Sequence, residues 1–201
     1  MNNFLSKLTC RHGFTLMEIV VVMFIFTLAS ILIAEIFVNV QKAQQKIRDT
    51  QVAYTDARYL MEVMAREIRS DLIDYVAYGT ISDPNDPDVI DKLYLATSQG
   101  AKVVFRYHNP CPKGNTAIGC VTIKRDTGEE NVISSPKLSI DTLTFYITPL
   151  KDPFPENVIL TTPDIQPQVT IVLKASSTNI KIEDQKPIYL QTTVASRAYV
   201  R

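Results

Sequence analysis

The chain has 201 residues, enough for one domain of ordinary size with an appendage and too few for two large ones. Its 21 Lys and Arg balance 21 Asp and Glu, so no net field favours a polyanion and no direct nucleic-acid partner is predicted. Turn formers are unevenly spread. None of the 11 prolines or 6 glycines lies between Phe14 and Tyr78, and every proline follows Gly79. The chain therefore divides near Gly79 into a part that can be helical throughout and a part punctuated by turns.

In chain order, residues 1–13 carry Lys7 and Arg11 without an acid, and the next Lys or Arg is Lys42. The stretch from Ile19 to Ala34 is apolar except for Thr27 and Ser30, and extending it to Val38 approaches the roughly 20 residues that cross a bilayer as a helix. The spacing predicts a span over residues 14–40, its basic flank cytoplasmic and the remainder outside. A secretory signal cut near Ala29, Ser30 or Ala34 is one blander reading, and a plain single-span anchor is another. The length of the apolar run, its early acid and the unbroken helical pattern beyond it speak against the signal peptide. That acid is Glu18. A carboxylate in such a span costs about 2.5–3.5 kcal/mol at the helix centre, less near the interface, so it implies a partner unless the helix N-terminus and headgroup region suffice to hold it.

The run Gly13-Phe14-Thr15-Leu16-Met17-Glu18, behind a short basic leader and ahead of a long apolar helix, resembles the class III signal of the type IV pilin-like superfamily of prepilins and pseudopilins. The resemblance implies that a prepilin peptidase cuts after Gly13, that the new Phe14 amine is methylated, and that Glu18 faces the Phe14 amine of a neighbouring subunit. It implies as partners other pilins or pseudopilins and the inner-membrane assembly platform. It also implies residence in the inner membrane, globular part outside, and then in a pilus or pseudopilus. The chain departs from the major-pilin pattern in lacking a proline in the outer part of this helix; Glu35 stands there instead, read as lying at the outer interface, with a second assembly contact as the alternative. The stretch Met61–Arg69 and the texture of the later strands resemble the larger minor subunits, the PilW and GspJ type. The function implied is a minor subunit that primes, caps or adapts the filament. The alternatives are a major subunit and a single-span or secreted binding domain outside any filament.

Residues 41–78 continue as an amphipathic helix, predicted unbroken from Phe14 to about Asp74. Ile47, Tyr54, Ala57, Met61, Met64, Ala65, Ile68 and Leu72 form its apolar stripe, and Arg58–Glu62 and Glu62–Arg66 are spaced as ion pairs on its solvated face. Residues 79–201 switch to period two. Strands are predicted around Leu93–Leu95, Val103–Tyr107, Val121–Ile123, Leu143–Ile147, Val169–Leu173 and Ile188–Leu190. Turn-rich connections favour antiparallel pairing. The fold class is α+β, an antiparallel β-sheet domain packed on the outer half of the long helix.

Neither His12 nor His108 belongs to a metal, phosphate-loop or nucleophile motif, so neither an enzyme nor a cofactor is predicted. The acidic loop from Ser82 to Asp91 reads as a solvated turn, with calcium as the alternative; it lacks the glycine and terminal glutamate of an EF-hand. If the leader is lost at Gly13, Cys10 goes with it, and Cys111 and Cys120 remain to pair across a hairpin in an exported domain. Two free thiols in a reducing compartment are the other reading.

Overall fold

The computed structural model describes residues 13–79, 91–97, 99–113, 118–153, 166–179 and 186–196. The chain forms two units, Met1–Lys46 and Ile47–Arg201. Helix α1 runs from Leu16 to Ser70, 55 residues without a glycine or proline to break its ladder. It stops short of the expected Asp74. Ser70 turns its hydroxyl back onto the carbonyls of Arg66 and Glu67, at 3.2 and 3.0 Å, a local bond that competes with helix continuation. Leu72 and Ile73 then form strand β1, so Leu72 belongs to a sheet and not to the helical stripe. A short helix α2, Tyr75–Tyr78, follows, with Asp74 Oδ1 accepting from the Ala77 amide at 3.1 Å and Gly79 closing it at a φ of 63°.

In the second unit α1 buries Ala53, Ala57, Leu60, Met61, Met64, Ala65 and Ile68, a stripe of helical period. Ile47 and Tyr54, expected on that stripe, are instead exposed. The expected charge pairs are also replaced: Arg69 reaches Glu62 at 3.3 Å, while Arg58 lies 4.5 Å over the Tyr54 ring. The buried stripe packs against antiparallel strands. These are β2 Lys92–Ala96, β3 Lys102–His108, β4 Cys120–Arg125, β5 Glu130–Val132, β6 Leu138–Thr148, β7 Gln168–Ser177 and β8 Ile188–Ala195. They form two sheets where the alternation suggested one: β1-β2-β3-β4-β5 and β6-β7-β8. All six strands read from the sequence are present. The two missed ones are short: β1 has 2 residues and β5 has 3, too few to register as alternation. Phe105, Phe145, Leu60, Met64 and Leu173 are fully buried in one core fed by α1 and both sheets, each contributing about 1.5–3 kcal/mol by leaving water.

The two sheets meet where β4 begins. The Ile140 amide donates to the Gly119 carbonyl at 3.0 Å, and the Tyr107 hydroxyl donates to the Asp141 carbonyl at 2.7 Å, beside a register shift between Ile140 and Thr142. A Cβ on Gly119 would stand 2.1 Å from the Ile140 carbonyl oxygen, so this junction has room only for glycine. Cys111 and Cys120 form a disulfide, Cα atoms 5.3 Å apart, that clamps the β3–β4 hairpin next to it. A ring this short contributes under about 3 kcal/mol in the chain-entropy view. The end of α1 is fastened separately. Ser196 Oγ donates to the Asp71 carbonyl at 2.7 Å, Tyr75 donates to the Pro149 carbonyl at 2.9 Å, and Arg125 pairs with Glu67 at 2.6 Å. Asp71 is buried with Oδ2 unbonded; burial first, and then the neighbouring Glu67 charge, raise its carboxyl above the ordinary range. The acidic loop lies outside the described residues except for Asp91, whose carbonyl accepts the Tyr107 amide at 3.1 Å. Among the described residues no group of three His, Cys, Asp or Glu is placed to hold a metal ion.

Gly119→Ala should force the Ile140 carbonyl away and open the junction between the sheets, destabilising the second unit by about 1–3 kcal/mol. Thermal unfolding followed by near-ultraviolet circular dichroism measures this; an unchanged midpoint would mean the backbone there is free to move apart.

Candidate functional site

The segment singled out in the sequence lies at the start of α1. Gly13, Phe14 and Thr15 precede the helix, and the Thr15 hydroxyl accepts the Glu18 amide at 3.2 Å. The Thr15 carbonyl takes the Glu18 and Ile19 amides at 3.1 and 3.2 Å. Thr15 is thus the N-cap and Glu18 the third helical residue, the spacing of a capping box, of which only the Thr15 half is made: its hydroxyl takes an orphan amide of the first turn. The Thr15-x-x-Glu18 spacing is a signal that a reading of Glu18 as a lone charge overlooks. It ties the carboxylate's place on the helix to the residue at which the helix starts.

Gly13 has no such local reason. A Cβ there would meet nothing within 4 Å among the described residues, and the backbone is not in the left-handed region, so neither packing against those residues nor conformation requires glycine. Beyond it, Phe14 is 76% exposed and Leu16 81% exposed. Exposed apolar side chains continue to Val40 on α1, which contains a stretch long and apolar enough to cross a membrane by length and composition. Its internal hydroxyls are self-satisfied: Thr27 donates to the Phe24 carbonyl and Ser30 to the Phe26 carbonyl, both at 2.8 Å. Its carboxylates are not, since neither Glu18 nor Glu35 has a side-chain partner among the described residues. The 17 steps between them amount to about 25 Å of helix, close to the hydrocarbon thickness.

A second polar constellation lies on the five-stranded sheet, and sequence reasoning missed it. His108 Nε2 and Glu130 Oε1 are 2.8 Å apart, Thr122 donates to the same oxygen, and Arg106 stands 4.0 Å from the other. The register explains the grouping: Arg106 on β3 pairs with Thr122 of β4, His108 stands two residues further along β3, and Lys124, two residues beyond Thr122, pairs with Glu130 on β5. No local spacing in the sequence could have shown this. The group has no activated nucleophile: the Thr122 hydroxyl points to Glu130 and to the Arg106 carbonyl, not to the imidazole. Burial by itself would raise the Glu130 carboxyl. The hydrogen bonds from Thr122 and His108, and then the charges of His108 and Arg106, outweigh it and hold the group below the ordinary Glu range.

Comparison with known proteins returns one family. The model described as the prokaryotic N-terminal methylation motif matches residues 8–34, which hold Arg11 of the basic flank, the capped helix start and most of the apolar run. Neither a curated protein nor a solved structure matches the chain.

A carboxyl held low in the fold binds fewer protons there than in the unfolded chain. Its contribution to stability is present above the ordinary Glu value of about 4.3 and is lost as pH falls through the lower folded value. Glu130→Gln should therefore shrink the fall in thermal midpoint between about pH 5 and pH 3 by about 2–4 °C. Parallel acid profiles for parent and variant would show that the cluster contributes nothing to stability.

Proposed function

We propose that this chain, placed in the type IV pilin-like superfamily by its N-terminal methylation motif, is a minor pilin or pseudopilin that primes, caps or adapts a type IV pilus or type II secretion pseudopilus. The observation that carries this reading is the conjunction at the start of α1. A glycine that nothing among the described residues requires precedes a capped helix whose third residue is a carboxylate without a partner among them, in an exposed apolar run. A glycine without an internal reason fits a backbone gripped from outside, as by a peptidase that cleaves after Gly13. Hydrolysis there leaves a free amine on Phe14, which as the neutral amine is the nucleophile that methylation needs and once protonated is the charge that Glu18 lacks.

Glu18 of one subunit then faces the Phe14 amine of the next. In water such a pair at 4 Å is worth about 1 kcal/mol, and near a protein surface of effective dielectric 20 about 4 kcal/mol. Its larger effect is on register, because either charge left alone in hydrocarbon is costly. The apolar side chains from Phe14 to Val40 supply adhesion between helices. The basic flank stays cytoplasmic and the β-rich unit lies outside, as the positive-inside rule requires. The minor role is supported by the proline-free helix and by the likeness of Met61–Arg69 to the larger minor subunits.

Mass analysis of the mature protein should find Phe14 at the terminus, carrying one methyl group. A terminus at or beyond Ala29 would instead establish an ordinary signal peptide and end the filament reading. Glu18→Ala should leave the protein inserted and folded but reduce its crosslinking to neighbouring subunits about tenfold, a loss of about 1.4 kcal/mol. Undiminished crosslinking would remove Glu18 from the assembly contact.

A further inference from the structure

The edges of the two sheets are not alike. An exposed strand edge is a template for another chain, and folded proteins blunt it by shortness, charge, proline or a bulge. Strand β1 has 2 residues; β5 has 3 and carries Glu130. Strand β6 is interrupted by the shift between Ile140 and Thr142 and is approached there by Gly119. Strand β8, Ile188–Ala195, has 8 residues without a charge or a proline, and it pairs with β7 in unbroken register from Ala175↔Ile188 to Gln168↔Ala195. Among the described strands it is the one edge with none of these protections.

The register also tells which backbone groups face outward. The Ser196 amide donates to the Pro167 carbonyl at 3.0 Å, so alternate residues from Val194 back to Ile188 bond to β7. The residues between them, Tyr189, Gln191 and Thr193, then direct N–H and C=O away from the sheet. The hydroxyl contact between Thr170 and Thr193 at 2.8 Å fits this assignment, since side chains approach more closely in pairs that are not hydrogen bonded. Tyr189, Gln191 and Thr193 also have exposed side chains, while Leu190, on the opposite face, is only partly buried against the core.

We infer that β8 is a docking edge for the β8 strand of a second copy of this chain, paired antiparallel about a twofold axis through Gln191. The sequence Ile-Tyr-Leu-Gln-Thr-Thr-Val-Ala supports a second copy because it is complementary to itself. About that axis Tyr189 lies opposite Thr193 of the copy, an aromatic next to a β-branched residue on the exposed face, and Leu190 lies opposite Thr192 on the core side. Every outward N–H and C=O of Tyr189, Gln191 and Thr193 finds a counterpart. Among the described residues, the cross-strand pairs within β8 bring no like charges together. Lys174, on the inner strand, sits 5.9 Å over the Tyr189 ring. The two three-stranded sheets become one sheet of twice the width, closed by the twofold axis.

In the full-length chain carrying Cys10→Ser and solubilised in detergent, Gln191→Cys should give a disulfide-linked homodimer under mild oxidation. The axis puts the two Cα atoms about 5.5 Å apart, within disulfide range. Gln168→Cys, exposed on the central strand, should stay monomeric under the same conditions. Gln191→Pro removes an outward N–H while sparing the β7 ladder, and should weaken self-association measured by sedimentation at least about tenfold with little change in thermal midpoint. Gln191→Lys, which keeps the N–H but sets like charges together on the axis, should do the same if the proline variant proves unstable. Absence of the linked homodimer, linkage of Gln191→Cys to a different polypeptide instead, or parental self-association by the Lys variant would each overturn the inference.

Discussion

A peptide group left unpaired in hydrocarbon costs several kcal/mol, and one left unpaired in a protein core costs nearly as much. Helix α1 meets both conditions because its ladder runs from Leu16 to Ser70 without a residue that lacks an amide or favours another conformation. The Thr15 hydroxyl begins that ladder, and the Ser70 hydroxyl stands where it ends. With the backbone satisfied internally, side chains alone decide what each stretch can touch. In the first stretch they are apolar all round, and in the second they are apolar along one stripe.

Three carboxylates show how environment divides one chemical group into different roles. Glu130 is held by Thr122, His108 and Arg106 and sits below its ordinary pKa, a structural charge whose partners lie on adjacent strands. Asp71 is buried with an unbonded oxygen beside Glu67 and sits above it, a cost borne where α1 hands over to β1. Glu18 has no side-chain partner among the described residues and lies in an apolar run, the setting in which a lone carboxylate is costly. Structural economy accounts for the first.

The β part of the molecule is assembled around close backbone approach. Gly119 lets the start of β4 reach the register shift in β6, Tyr107 spans the same junction, and the neighbouring disulfide fixes the hairpin that carries both. That arrangement covers one edge of the three-stranded sheet and leaves β8 at the other. Strand protection and strand exposure are thus two outcomes of the same topology.

Much of this was legible in the residues. The absence of glycine and proline from Phe14 to Tyr78 specified a long helix, because nothing local could interrupt the ladder. Period-two alternation located six strands, because each has a buried face long enough to repeat. The Gly13–Glu18 run identified the candidate site, because its chemistry is contiguous. Tertiary structure decided the rest. It drew Leu72 out of the helical stripe into a strand, since pairing with Ala96 outweighed one more helical turn, and left Ile47 and Tyr54 exposed. It divided one expected sheet into two at Gly119 and Ile140, and it gathered Arg106, His108, Thr122 and Glu130 from three strands. These outcomes depend on strand order and register, which are set by contacts between residues far apart in the chain, whereas periodicity and motif spacing report only on neighbours.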